Sequence, residues 1–574
     1  MNNKADLVKG YAGANPFRDH QARTFSNSKL VTEFFPTSKF WSLFNDQHEV
    51  LIGRRGSGKT ILLRMMRYSL LKRISHPDAE AIVKSQLFFG ITVSTHLEFV
   101  GNLLHQEIPE QHRLLHFQFG FNCMLSRSLL NELDSVVNEQ ESFVDRGRLS
   151  GQLTAAIAQI WFPEENLEKF RYLDDIDRSI EKIYQASTVI AGEIDSPPVF
   201  KNSVCSPIQA VSSSISKILG YSEEPTWLIG IDEAEFLPLQ FQRCINSLFR
   251  ADSRKIVIKM ATLPYKHLTK ETLVPGVYAE SNGNDFSYRT LDMDPSDEDF
   301  INVTNNLCAT RLGKAIGSKF SKNDTLEDFV GRVGEDGWVD YYKNDLNNKN
   351  CKYEDIFRGI VSQFSPEKQL TIPRQNNRRK QTYDKYAPIY FFREMFKKST
   401  LGNYTPGWFA GGSTIRKIAQ GNPRMFIKIM NELFDGAKTG PLSHKAQHSI
   451  IYKFVDNEFK ILRSTLSEGP YLYDVLSEIA TELKRLTHEG TLSFHGNNFQ
   501  LRKIQIESNP NLVKALEFGV AYLHVDVDLD SFNNKITADT KFTLANYISA
   551  YFWIPMRKGA YPKIKLNPVQ MTLY

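Results

Sequence analysis

The 574-residue sequence predicts an α/β fold built on a parallel sheet and extended by helical regions. Three observations predict it. A glycine-rich loop, Gly53-Arg54-Arg55-Gly56-Ser57-Gly58-Lys59-Thr60, stands between a short apolar run, Val50-Leu51-Ile52, and a helix-forming run that begins Ile61-Leu62-Leu63. A second apolar run, Trp227-Leu228-Ile229-Gly230-Ile231, is short and uninterrupted, as in a strand covered on both faces, and it ends in Asp232-Glu233. Short β-rich runs alternate with segments of helical spacing, the pattern of strand–helix units in a parallel sheet.

Taken in order, residues 1–47 form an approach segment in which Asn15-Pro16-Phe17-Arg18 marks an ordered stretch. The sheet domain is expected over 48–296. Its first strand leads into the glycine loop, and the helix after the loop is expected from about Lys59 to Lys72. Phe88–Ser94 reads as the second strand. The distance from there to the acidic strand exceeds what a compact core needs, so a helical insertion that projects from the sheet is expected over about 96–220. Arg127–Leu133 and Ile176–Ile183 carry apolar residues at helical spacing within it. Phe241–Phe249 follows as a helix and Lys255–Thr262 as a further strand.

Residues 297–440 change texture and read as a helical lid with its own insertion. Asp299–Leu312 is helical, Lys343–Lys352 is polar and exposed, and the basic run Arg374–Lys380 reads as a solvated loop. Thr414–Ala419, the turn Gly421-Asn422-Pro423-Arg424, and Met425–Leu433 give helix, sharp turn, helix. Pro423 suits a helix start, where its missing N–H would be unsatisfied anyway. Residues 441–574 supply helices near Ser449–Leu462, Tyr471–Leu486 and Leu512–Leu516, then strands at Val520–Val525 and Phe542–Leu544. Helices followed by a short hairpin are the layout of a winged helix-turn-helix.

The glycine loop fits the pattern G-x-x-x-x-G-K-S/T in the strand-to-helix context that the pattern requires. Gly53, Gly56 and Gly58 let the backbone turn tightly and bring its N–H groups, with that of Ser57, up to phosphate oxygens. The helix that starts there adds its positive end. Lys59 is placed for the β- and γ-phosphates of ATP and the Thr60 hydroxyl for Mg²⁺. Acids at the C-terminal end of a parallel strand sit where open α/β sheets bind ligands. Asp232 is therefore the candidate for the Mg²⁺ shell, and Glu233 for polarising an attacking water.

Composition narrows the class. Lys and Arg number 70 against 65 Asp and Glu, so the net charge of +5 says little about nucleic acid by itself. An apolar content of 41% with abundant aromatics supports several cores and excludes a disordered chain. The five cysteines are scattered and form no C-x-x-C pair, which indicates neither a disulfide framework nor a zinc site. The N-terminus lacks a signal-peptide core and no uncharged run is long enough for a membrane span, so a cytoplasmic protein without membrane association is expected.

With the loop, the acidic strand, the strand ending at Thr262 and the Gly421–Arg424 turn in sequence, the chain resembles an AAA+ ATPase. More narrowly it resembles the bacterial version of the origin-recognition-complex-like initiator branch, close to the STAND signalling ATPases. The resemblance implies that Lys59 and Thr60 serve phosphates and Mg²⁺, that Asp232 and Glu233 are the acidic pair, and that Thr262 is a polar sensor. It implies that Arg424 is the lid arginine that reaches the γ-phosphate and that Asn15, Pro16 and Phe17 lie against adenine. Arg243 and Arg250 are candidates for a trans-acting arginine of a homo-oligomer. The function implied is an ATP-hydrolysing switch that couples nucleotide state to DNA or partner engagement. The alternative is a STAND-like scaffold of a bacterial antiviral system that assembles on ATP and controls a separate effector protein. A small-molecule kinase is a weaker reading, because nothing resembles an acceptor site. From Lys541 to Tyr574 the chain has Lys541, Arg557, Lys558, Lys563 and Lys565, no acid, and interleaved Tyr551, Phe552, Trp553 and Tyr561. That segment is the candidate DNA contact of the C-terminal domain.

Overall fold

The structure, a computed structural model, describes residues 4–21, 24–104, 108–189, 196–251, 255–281, 283–331, 353–371, 376–400, 407–465, 468–492, 495–527, 535–557 and 559–566. The Lys343–Lys352 stretch, Arg374, Gln375 and Lys558 lie outside the described residues. The chain divides into two compact units. One comprises residues 22–53 and 58–291, the other residues 1–21, 54–57 and 292–574.

The first unit is built on five strands: β1 (His48–Ile52), β2 (Phe88–Ser94), β3 (Thr226–Asp232), β4 (Ile256–Thr262) and β5 (Phe286–Thr290). Their order across the sheet is β2-β3-β4-β1-β5, and every pairing is parallel. The expected strands are present; β5 had no strong signal, since Ser287, Tyr288, Arg289 and Thr290 are only half-buried at the sheet edge. β4 is buried along its whole length even though it carries Lys259. That ammonium is satisfied by Glu49 on β1 at 3.2 Å, Asn45 Oδ1 at 2.8 Å and the Gln47 carbonyl at 2.8 Å, and Glu49 also pairs with Arg289 on β5. Burial chiefly, offset in part by Glu49, brings the Lys259 pKa down to about 8.

The helix after the glycine loop is shorter than expected. It runs Lys59–Met65, and a separate turn of helix follows at Tyr68–Leu71. The break has a steric cause: β2 passes so close that a Cβ on Gly90 would stand 1.9 Å from the Met66 carbonyl oxygen. The buried Glu132 carboxylate then accepts from Arg67 Nε at 2.6 Å and Ser69 N at 2.8 Å, which starts the second piece. Leu62, Leu63, Met65, Met66, Leu70 and Leu71 join Phe40, Leu43, Leu51, Leu228 and Val257 in the core on this side of the sheet.

Between β2 and β3 lie long helices at Glu110–Asn138, Phe143–Trp161, Leu173–Val189 and Ser206–Ile218. The first of these does not project. Phe117 stacks on Phe241 of the Leu239–Phe249 helix with centroids 4.5 Å apart, and Glu132 caps the helix turn described above. Buried Asn122 closes the far end of the chain segment by donating to the Phe200 carbonyl and accepting from Cys205 N.

In the second unit the helices Glu298–Ile316 and Gly412–Ala419 pack on the Pro423–Thr439 helix. Asn422 caps the last of them, accepting from Met425 N at 3.1 Å. Gly421 takes φ +69, and a Cβ there would stand 1.7 Å from the Met293 carbonyl oxygen, so the turn requires glycine. C-terminal to the lid, the helices His444–Leu462, Gly469–His488 and Pro510–Ala521 pack with a four-stranded sheet. Its strands are β6 (Asn498–Leu501), β7 (Val525–Val527), β8 (Phe542–Leu544) and β9 (Lys563–Ile564), in the order β7-β8-β6-β9. The strand expected at Val520–Val525 is displaced: helix continues to Ala521, Leu523 turns the chain at φ 68, and the strand begins at Val525. The apolar run could serve either state, and the helical packing of Leu516 and Val520 decides it. Among the described residues no helix is long and apolar enough to cross a membrane.

Candidate nucleotide site

Because all five strands are parallel, their C-terminal ends share one edge of the sheet. The register pairs Ile52 with Thr262, Ile231 with Met260 and Ser94 with Asp232, so β4 and its Thr262 stand between the loop strand and the acidic strand. Gly53 N donates to the Thr262 carbonyl at 3.2 Å, extending the ladder into the loop. Gly58 adopts φ +96 with its Lys59–Met65 helix starting directly behind it. The Lys59 ammonium is buried and donates to the Gly53 carbonyl at 2.6 Å, so the lysine folds back over its own loop.

Asp232 is buried beside Lys59, and the Thr60 hydroxyl donates to its carboxylate. Burial raises its pKa; the Thr60 hydrogen bond and Lys59 oppose that and Glu233 adds to it. Glu233 holds a left-handed backbone, φ 60 and ψ 31, uncommon for a non-glycine residue and the kind of local strain that collects at functional sites. Ser94, at the end of β2, donates to Glu233 Oε2 at 3.2 Å. Glu235 is a third carboxyl in this group. Burial raises its pKa, with Lys59 opposing and Asp232 and Glu233 adding. Sequence reasoning missed Ser94 and Glu235. The only signal for Ser94 was its place at a strand end, and the acid at Glu235 was indistinguishable from a solvated turn residue.

The tip of the loop, residues 54–57, belongs with the second unit. A Cβ on Gly56 would meet Asn422 Oδ1 at 2.6 Å and Arg424 Cβ at 2.8 Å, so the start of the Pro423–Thr439 helix lies directly on the tip. Sequence reasoning placed Arg424 in the lid; the structure brings it to the loop. Asn15 Nδ2 donates to the Asn431 carbonyl at 2.8 Å, and Asn15 Oδ1 accepts from Phe17 N, fixing the turn at half-buried Pro16. The Phe17 ring is fully buried against Phe434, with the Arg311 guanidinium 5.8 Å from its centroid. Asn15 and Phe17 thus pack on the same helix that carries Arg424.

The two arginines considered for a neighbouring subunit serve their own chain here. Arg243 pairs with Glu271, and Arg250 pairs with Asp285 at 3.5 Å and donates to the Tyr278 carbonyl at 2.7 Å. Both hold the excursion between β4 and β5.

A family profile described as ORC-CDC6-like matches residues 15–566. The chain belongs to the ORC-CDC6-like family. Searches of curated proteins and of solved structures returned no significant match. Membership in the ORC-CDC6-like family carries an AAA+ nucleotide-binding ATPase core, and the match takes in residues of both compact units.

The residues present fit a nucleotide with Mg²⁺. Within the sheet unit, Thr262 Oγ1 and Asp232 Oδ1 are buried polar atoms with no hydrogen-bond partner among the described residues, a cost that a polar ligand would relieve. Among those residues no group of three His, Cys, Asp or Glu side chains is arranged to hold a metal ion. That suits Mg²⁺, which is usually held by one or two protein oxygens together with phosphates and water.

Asp232 supplies a prediction. Its pKa is raised, so the folded chain favours the protonated carboxyl. Stability is full below the ordinary value of 3.8 and falls as pH rises through the raised one. At neutral pH the ionised carboxylate therefore costs stability. Asp232→Asn is expected to raise the melting temperature of the nucleotide-free protein and to weaken Mg²⁺-dependent ATP binding by at least about tenfold. Melting curves and ATP titrations with and without Mg²⁺ check both halves; a variant that melts lower and binds as tightly contradicts the assignment.

Proposed function

We propose that this protein is an ATP-hydrolysing switch whose nucleotide state controls engagement of a partner through the C-terminal domain. The observation that carries hydrolysis, beyond binding, is Glu233: a carboxylate at the end of the acidic strand, held on a strained backbone and hydrogen-bonded by Ser94. Binding alone has no use for a second acid there. In this reading Gly53, Gly56, Ser57, Gly58 and Lys59 hold the phosphates, and Thr60 and Asp232 hold Mg²⁺, which when bound would neutralise phosphate charge. Glu233 orients and deprotonates the attacking water, while Thr262 contributes a hydroxyl beside it. Arg424 responds to the γ-phosphate, since its partner charge disappears on hydrolysis. Asn15, Pro16 and Phe17 border the adenine, with Phe17 supporting that wall from within the core.

Two partner classes follow, DNA and an effector protein. The C-terminal aromatics argue against a stacking role. Trp553 is buried among Phe392, Phe396, Phe409 and His448, and Tyr551 and Phe552 pack on Phe459. Lys563 and Lys565 are exposed on and beside β9, but the groove they line with Arg502 also contains Asp474, Glu478 and Glu482. A surface so mixed in sign favours the second reading, an ATP-assembled homo-oligomeric scaffold that controls a separate effector, as in bacterial antiviral systems, over general phosphate binding. Steady-state phosphate release by the full chain, with and without duplex DNA at low salt, separates them. Strong DNA stimulation supports the DNA-coupled switch. ATP-dependent assembly by sedimentation without DNA stimulation supports the scaffold, and absence of both turnover and assembly refutes the proposal.

A further inference from the structure

Arg54 and Arg55 occupy positions that the phosphate-binding pattern leaves open, yet they are among the most heavily restrained residues of the loop. Arg54 is 4% exposed. Its backbone N–H donates to Asp292 Oδ1 at 3.0 Å, its Nε pairs with Asp292 Oδ2 at 3.2 Å, and its outer guanidinium nitrogen pairs with Asp526 on β7. Asp526 is itself oriented, accepting from Val527 N at 2.8 Å and from Gln420 Nε2 at 3.3 Å. Arg55 N donates to the Ala521 carbonyl at 3.0 Å, its guanidinium lies 5.3 Å from the Tyr522 ring centroid, and its carbonyl accepts from Asn422 Nδ2 at 2.9 Å. The turn at Leu523 brings the end of the Pro510–Ala521 helix and the start of β7 onto the same two arginines.

A buried guanidinium placed between two carboxylates needs both to offset the cost of burying its charge. With Asp292 alone, one side of Arg54 would lose a charged partner, and the loop tip would lose its tie to the C-terminal sheet. We propose that Asp526 is a positioning residue for nucleotide: acting through Arg54, it holds the phosphate loop in its gripping conformation, so that nucleotide retention depends on the C-terminal sheet being docked on the loop. A partner that draws β7 away would then loosen the nucleotide, and nucleotide binding would tighten that docking by the same factor, because coupling between sites is reciprocal. The inference rests on the nucleotide-binding reading given above.

The test uses the full chain and a fluorescent ADP analogue with Mg²⁺, with release followed by stopped flow. Asp526→Asn is expected to speed release about tenfold, within the usual range for coupled sites, and to raise KM for ATP without lowering kcat. Asp526→Glu, which keeps the charge, is expected to restore most of the slow release. Arg54→Gln should show the same acceleration, and the double variant Arg54→Gln with Asp526→Asn should be no faster than Arg54→Gln alone. Wild-type release rates in Asp526→Asn overturn the proposal, as do effects that multiply in the double variant. Should Asp526→Asn fail to fold by its melting curve, wild-type release from Arg54→Gln is the overturning result. Failure of the wild-type chain to bind the analogue at all would instead refute the underlying nucleotide-binding reading.

Discussion

Lys59→Ala is expected to abolish ATP binding and to leave the fold intact. In the proposed site the lysine reaches the phosphates, and no neighbouring backbone group can replace its charge. The ammonium donates to the Gly53 carbonyl at 2.6 Å, and loss of that bond should cost about 1 kcal/mol, the usual net worth of a hydrogen bond. The Lys59–Met65 helix keeps its packing through Leu62, Leu63 and Met65, which lie on the core side. Calorimetric titration with ATP and a melting curve of the same sample read the two halves separately. An alanine variant that binds ATP with unchanged affinity removes the phosphate-loop assignment.

Glu233→Gln is expected to bind ATP and to hydrolyse it at least about a hundredfold more slowly, the scale of lost general-base or water-positioning help. Glutamine keeps the length of the side chain and can still accept from Ser94, so the strained turn at φ 60 should survive. What it loses is the capacity to take a proton. Asp232→Asn has a different expected phenotype, in Mg²⁺-dependent binding, because in the proposed site the Thr60 hydroxyl and the Asp232 carboxylate, which are hydrogen-bonded to each other, would serve as hard oxygen ligands. Single-turnover phosphate release at saturating ATP distinguishes the two. The same defect from both substitutions would undo their separate roles.

Much of the sheet was legible in the chain. Phe88–Ser94 is a strand between the predicted bounds, the acidic strand is one residue longer at each end than the predicted run, and the strand ending at Thr262 starts one residue later than predicted. These strands are buried on both faces, so apolar character is continuous and needs no partner to be recognised. β5 was not legible, because an edge strand half-open to solvent has no such signature. The helix break at Met66 could not be read either: its cause is the approach of Gly90, a residue on another strand. In the C-terminal sheet, β6 and β9 are too short to carry a period, and β7 was obscured by an apolar helix end running into it.

For the candidate site, the sequence by itself determined the local chemistry: a loop whose glycines permit φ values near +90 at Gly56 and Gly58, a lysine and threonine at the head of a helix, and two acids at a strand end. Each follows from neighbours in the chain, where steric and hydrogen-bonding limits act over a few residues. Tertiary structure alone decided which strands adjoin, and so that Thr262 stands between loop and acids; it set Ser94 on Glu233, and Asp292, Asn422 and Asp526 on the loop tip. Those contacts join residues up to 472 positions apart. Their energies depend on burial and on the direction of a side chain in the folded state, and neither quantity is written in the residues that flank it.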